Sequence, residues 1–291
     1  MVKSMSYQVN DNHSEKLNLT NKELRALQLK GLEILIYFRD FCEAHGLRFY
    51  LCGGSCIGAL RHEGFIPWDD DVDVFMPRPD YEKLFELWDK YANTKKYSCN
   101  RTTKSIFIGS IMTGITDKET KVIRPWQVGK QGHKGVMIDV LPLDGCAPKG
   151  IRRKFQMFWS MIYSLYCCRM VPVNHGKFVA LVSKLLLSLV PGDENKFRVW
   201  NFAQKQMTKY KFNDTQYITE LCSGPHYMKN EYPREIFDGV VYKEFEGHLM
   251  PLPKGYDLYL KMAFGDYMKL PPEEDRTPHH DIIYMNLESN T

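Results

Sequence analysis

Between Trp68 and Phe75 the chain sets four acids in five positions, Asp69-Asp70-Asp71-Val72-Asp73, at the head of a run of β-branched and aromatic residues. Residues two apart on a strand share a face, so an extended reading points Asp69, Asp71 and Asp73 one way and Val72 and Val74 the other. Three carboxylates held that close repel one another unless a positive charge lies among them. A hard divalent cation with oxygen ligands supplies it, and Mg²⁺ characteristically takes one or two carboxylates together with substrate phosphates. The alternative is a solvated acidic turn. Val72, Val74 and Phe75 argue for a buried strand in the same segment, which makes Asp71 and Asp73, then Asp69, the metal candidates.

Just upstream, residues 47–52 (LRFYLC) have the apolar, aromatic character of a buried strand. Gly53 and Gly54 break it and permit positive φ and close approach to the backbone. Ser55 is placed to cap a helix over residues 56–62. A helix beginning after a glycine turn directs free N–H groups and a positive dipole end at that turn, where a phosphate can sit. By themselves the glycines fit a tight turn equally well. Pro67 pushes the residues before it toward extended geometry.

A Gly-Gly-Ser turn followed by a carboxylate–x–carboxylate strand is the signature of the nucleotidyltransferase fold. The longer string GGSCIGALRHEGFIPWDDDVDVFMPRPDYEKL resembles the LicD family of phosphocholine transferases and, in outline, fukutin-related proteins. The resemblance resumes at residues 138–145 (IDVLPLDG) and 256–280 (YDLYLKMAFGDYMKLPPEEDRTPHH), with a loose match between residues 151 and 232. It implies an α+β fold: a nucleotidyltransferase-like mixed sheet flanked by helices, with a helical insertion. It implies Mg²⁺, with Mn²⁺ able to substitute, on Asp71 and Asp73 with Asp69 beside them. Asp139 is the one charge in the apolar strand of residues 135–143, and ionised carboxylates are rarely buried without a partner. The family likeness makes Asp139 the third catalytic carboxylate beside Asp71 and Asp73; a carboxylate held by backbone N–H groups is the alternative. Gly53, Gly54 and Ser55, with Arg61, His62, His279 and His280, are implied as donor-binding residues, the two terminal histidines without a choice between them. The donor so implied is CDP-linked, CDP-choline first. Phosphocholine passes to a sugar hydroxyl of a cell-surface glycan, such as lipopolysaccharide or teichoic acid, with loss of CMP. A lipid-linked glycan is among the acceptors so implied. Two other readings are a nucleotidyltransferase moving NMP from NTP to a small molecule or protein, and a non-catalytic glycan-binding scaffold.

The remaining chain bounds these readings. At 291 residues it can bury one core, or one core plus a helical insertion. A net charge of +4 is too small to imply nucleic acid, and no zinc-finger, basic-zipper or RNA-binding signature is present. The first residues lack the apolar core of a signal peptide. Eight cysteines without a C-x-x-C pair read as reduced, buried thiols of a cytoplasmic protein, placed by its acceptor at the inner face of the membrane. There is no P-loop, G-x-S-x-G elbow or H-E-x-x-H helix.

Taken in order, residues 1–16 read as a mobile tail, 17–148 as the catalytic core, 149–212 as a helical insertion and 213–291 as strands, helix and tail that complete the core. Thr20 and Glu23 form a capping box ahead of a long amphipathic helix stopped by His45-Gly46. Asp80 reads as the cap of a helix to Tyr91, Arg78 as a surface arginine with a phosphate contact as the alternative, and Asp144 as a turn or cap residue. Strands are expected near residues 97–101, 106–116, 120–123, 216–221 and 236–245, with Pro251 and Pro253 ending the last region. A glycine- and lysine-rich loop (128–134) and a helix (256–264) are also expected. Trp68, Trp126 and Tyr81 lie near the motif in sequence and are candidates for an aromatic box around a quaternary ammonium. The apolar helical runs between residues 151 and 190 have two readings: a packed core subdomain, the default, or an interfacial element resting on anionic lipid.

Overall fold

The structure, a computed structural model, describes residues 16–171 and 176–288; apart from Lys16, the expected N-terminal tail lies outside them. The chain opens with α1 (Asn21–Ala44), β1 (Tyr50–Leu51), α2 (Gly53–Arg61), β2 (Asp73–Pro77), α3 (Arg78–Tyr91), β3 (Tyr97–Asn100), β4 (Thr113–Asp117), β5 (Lys121–Ile123) and β6 (Met137–Gly145). Then come α4 (Ile151–Cys168), α5 (Lys177–Leu189) and α6 (Asp193–Met207). The last part holds β7 (Tyr217–Thr219), β8 (Tyr232–Pro233), β9 (Val240–Phe245), β10 (His248–Pro253), α7 (Tyr256–Phe264) and β11 (Tyr284–Asn286).

The expected α+β architecture is present. The central sheet runs β1-β2-β6-β4-β3, with β7 and β8 continuing from the far end of β6. β2 and β6 are parallel, and the other pairs of the sheet are antiparallel. β6, the longest strand, pairs with β2 on one side and with β4, then β7, on the other. It therefore sits at the centre of the core and is buried nearly throughout.

Local sequence accounts for α1 and α7. Thr20 Oγ1 accepts from the Glu23 N–H, and the Glu23 carboxylate accepts from the Thr20 N–H, so two orphan donors of the helix start are satisfied reciprocally. Leu24, Leu27, Gly31, Ile34, Phe38 and Phe41 then form the buried stripe. α7 covers the expected residues and stops at Gly265, which has φ +70°.

Elsewhere tertiary contacts override the expectation. β2 starts at Asp73, not Asp69, because the side chain of buried Gln28 holds the carbonyls of Ile66 and Asp69 and keeps the acidic run in a loop. Alternation along a strand therefore does not position Asp69 and Asp71. α2 starts at Gly53, so Ser55 lies inside its first turn and is not its cap. Likewise α3 starts at Arg78; Asp80 is in the first turn and pairs with Arg48. Arg78 is not a surface residue, nor is Asp144 in a turn: the two form a buried, two-pronged ion pair at 2.7 Å between α3 and β6. Residues 106–112 are loop and not strand, held partly by Gln131. Pro251 and Pro253 lie within β10, paired opposite Tyr242 and Val240. Both occupy the same parity, so both nitrogens face away from β9 and no ladder bond is lost.

Candidate active site

The parallel register of β2 and β6 puts Asp73 opposite Asp139. The Asp139 N–H donates to the Val72 carbonyl at 2.8 Å, which locks this register. Both residues are half-buried. Burial, then the charges of Asp71 and Asp139, push Asp73 well above the usual carboxylate range. Burial pushes Asp139 up to about 6, with Arg124 pulling the other way and Asp71 adding to the rise. Asp139 Oδ1 is buried with no hydrogen-bond partner among the described residues. A buried acceptor left unpaired costs roughly 1–3 kcal/mol, so this atom is suited to a bound cation or a donated proton.

The glycine corner serves these acids. Gly53 has φ +52°, and a Cβ there would lie 3.6 Å from Asp73 Oδ2. A Cβ on Gly54 would lie 2.4 Å from Asp69 Oδ2, closer than any side chain tolerates. Gly54 thus lets the Asp69 carboxylate approach the first turn of α2, whose dipole favours negative charge, and Gly53 supplies the positive φ of the corner. The Gly53 N–H donates to the Tyr259 hydroxyl at 3.0 Å, and Ser55 Oγ accepts from the Asp73 N–H at 3.0 Å. Ser55 therefore ties α2 to the first residue of β2 and still has its own O–H to give.

Asp69, Asp70 and Asp71 follow in the loop. Burial and the charges of Asp71, Asp70 and Asp73 hold Asp69 well above its ordinary range. Asp70 faces the other way in effect: burial pushes it up, but the His280 ring, Arg124 and the His279 backbone N–H together bring it below the usual value. The N–H groups of His279 and His280 reach its two oxygens at 3.1 and 3.2 Å. His280 Nδ1 lies 3.2 Å from Asp70 Oδ1 and 3.5 Å from Asp71 Oδ2. Burial opposes charge on the His280 ring, yet Asp70 and Asp71 raise it to about 9. Asp70, Asp71 and His280 each offer a ligand atom, all within 4.8 Å of one another.

A C-terminal strap carries His280 here. β11 pairs with β5, the Ile283 N–H donates to Ile123 O at 2.9 Å, and Arg61 donates to the carbonyls of Tyr267 and Lys269. Of the expected site residues, Gly53, Gly54, Ser55, Asp69, Asp71, Asp73, Asp139 and His280 gather in one place. Arg61 holds the strap and the His62 ring, while burial and the charge of Arg61 lower the His62 ring's proton affinity. The exposed His279 contributes its backbone N–H. Trp68, Trp126 and Tyr81 do not converge. Trp68 packs near His62 and Arg276, Trp126 lines a small cavity with His133 and Met137, and Tyr81 is buried against Arg78 and Arg101.

Three neighbours escaped the sequence reading. Strand alternation points Asp70 away from Asp69, Asp71 and Asp73, so the acidic pattern does not single it out. Buried Arg124, whose charge acts on Asp139, Asp70 and His280, has an Nη1 with no hydrogen-bond partner among the described residues. Glu220 is buried beyond β7, accepts from the Tyr232 hydroxyl, and adds to the charge around Asp73. A lone acid in an apolar stretch was the signal that singled out Asp139, and it applies equally to Glu220.

A mixed sheet that sets acids from adjacent parallel strands beside a glycine corner defines a nucleotidyltransferase-like domain. Residues 46–143 match the family model described as LicD/FKTN/FKRP, nucleotidyltransferase domain. Over 270 residues the chain is 34% identical to the lipopolysaccharide cholinephosphotransferase LicD of Haemophilus influenzae, covering 88% of this chain and 96% of that one. A stretch of 51 residues is 49% identical to the human and mouse ribitol 5-phosphate transferase FKRP, covering 18% of this chain and 10% of those. The chain belongs to the LicD family, and it is a transferase.

Proposed function

We propose that this enzyme moves phosphocholine, or a similar phospho-substituent, from a CDP-linked donor to a sugar hydroxyl of a cell-surface glycan, and that it needs a divalent cation to do so. The observation that carries the reading is the pairing of Asp73 with Asp139, whose Oδ1 is buried and unpartnered, in front of the glycine corner. The chemistry of the donor set fits a hard cation: carboxylates raised by burial and mutual repulsion give up that penalty when a cation binds. Asp71 and Asp73, with Asp69 or Asp70 beside them, would hold Mg²⁺ or Mn²⁺. The cation supplies charge neutralisation at the transferring phosphate and acidifies an attacking hydroxyl. Within the chain, Asp139 is suited to accept the acceptor's proton, its affinity being raised to about 6. The first turn of α2 and the Ser55 hydroxyl face the donor phosphates, and Arg124 offers them a buried guanidinium.

Residues 17–148 and 213–291 together form the catalytic core in this reading, around a helical subdomain at 149–212. The relatives support the class of group transferred and, in one case, the acceptor: one is a lipopolysaccharide cholinephosphotransferase and the other a ribitol 5-phosphate transferase. The eight free cysteines, buried but for the half-buried Cys99, suit a cytoplasmic location. Mass spectrometry of products from CDP-choline and a panel of glycans tests the proposal. Glycan gaining phosphocholine with release of CMP is expected. Turnover of CTP or ATP with release of pyrophosphate, and none of CDP-choline, would replace it with NMP transfer.

A further inference from the structure

α4 and α6 pack into a second apolar cluster through Tyr163, Tyr166, Trp200 and Met207. α5 rests on that cluster by one side only. Ser183, Leu187 and Val190 face inward, and the Tyr166 hydroxyl donates to the Leu186 carbonyl at 2.6 Å. Its opposite side carries Phe178, Leu181, Leu185 and Leu189, spaced to form one stripe and open to solvent, Phe178 at 78% and Leu189 at 66%. α4 exposes Phe155 and Phe158 on its own outer side. Both apolar helices, α4 and α5, thus bury one side in the cluster and leave apolar side chains of the other side in solvent.

The charge pattern says what covers this face. No acid occurs between Asp144 and Asp193, while the same stretch carries seven Lys and Arg. Of these, Arg152, Lys154, Lys177 and Lys184 are exposed on α4 and α5. Lys177 and Lys184 border the α5 stripe one helical turn apart from its leucines. Among the described residues no helix is long and apolar enough to cross a membrane. An apolar stripe with basic edges and no acid is complementary to an anionic surface with an apolar interior. A second copy of the chain would set the same basic edges against each other.

We propose that the outer faces of α5 and α4 dock on an anionic lipid bilayer, with the phenylalanines and leucines in the headgroup–acyl boundary and the lysines at the phosphates. This deepens the proposed function by bringing the transferase to a lipid-borne acceptor, yet it stands on residues distant in sequence from the carboxylates, so either can fail alone.

The test is flotation of the full chain with vesicles of phosphatidylglycerol and phosphatidylcholine against phosphatidylcholine alone. Binding to the anionic vesicles, weakened by high salt, is expected. A Lys177→Gln, Lys184→Gln variant should lose about tenfold or more of that binding, each basic residue near such a surface being worth roughly a fivefold factor. A Phe178→Ser, Leu181→Ser, Leu185→Ser variant should lose it in larger measure, and both should keep wild-type turnover on a soluble sugar acceptor. The lysine variant alters only exposed polar groups and so reads the surface whether or not the serine variant folds. A chain that ignores anionic vesicles, or binds both vesicle types alike, overturns the proposal. So does light scattering that shows a wild-type dimer dispersed by the serine substitutions.

Discussion

Asp73 stands opposite Asp139 across the parallel strands β2 and β6, and the charge of Asp139 raises the proton affinity of Asp73. On the proposed reading, the same geometry makes the pair a cost to the metal-free fold and an asset to one that binds a cation. An Asp71→Asn, Asp73→Asn variant should stay folded and, with repulsion relieved, melt no lower than wild type in chelator. It should lose the rise in melting temperature that Mg²⁺ or Mn²⁺ gives wild type, and transfer should fall by several orders of magnitude. Calorimetric melting with and without metal, beside a turnover assay, checks both. Undiminished turnover would falsify the metal assignment.

His280 and His279 are neighbours in sequence with different places in the site. The His280 ring contacts Asp70 and Asp71, whereas His279 offers only its N–H. His280→Ala should cut turnover about a hundredfold or more, on the scale of losing a positioned charged donor. His279→Ala should stay within a few-fold of wild type, since alanine keeps the N–H that Asp70 accepts. Equal losses in steady-state assays of the two would remove the ring from the site.

Arg78 and Asp144 join α3 to β6 away from the acidic loop. Arg78→Met leaves Asp144 buried and uncompensated, a change that costs about 3–5 kcal/mol. Adding Asp144→Leu should restore most of it, because two apolar groups leave no charge behind. Urea unfolding of the single and double variants, read as a cycle, measures the coupling.

Glu220 supplies a pH signature. Burial raises it to about 7, against hydrogen bonds from Tyr232 and Ser223 that pull it down. Between its ordinary value near 4.5 and about 7 the folded state holds a proton that the unfolded state has lost, so stability falls as pH rises through that window. Glu220→Gln should remove this slope. The variant should match wild type near the acid end and exceed it above pH 7 by on the order of 3–4 kcal/mol, each pKa unit being worth about 1.4 kcal/mol. Denaturation across pH reads the difference directly.

Much of the site was legible because its signals are local. Two glycines before a helix, a dense acidic run and a lone acid in an apolar strand each announce a constraint that few neighbours can change. The capping box of α1 and the glycine stop of α7 are legible for the same reason: they are satisfied within a few residues. The acidic run has the pattern of a strand but is a loop up to Asp73. Gln28, far away in sequence, claims the carbonyls that a strand would have paired, and so Asp70 turns toward His280.

The amino-acid sequence alone determined the family, the fold class and most of the acids, since these rest on short-range pattern and residue chemistry. Tertiary structure alone decided which strand neighbours bring Asp73 and Asp139 together and which terminal histidine meets the acidic loop. It also decided that Arg78 is an internal partner of Asp144 and that α5 keeps one apolar face uncovered. Each of these depends on contacts between residues tens to hundreds of positions apart, and pairing at such distance is set by packing and register, which no local pattern records.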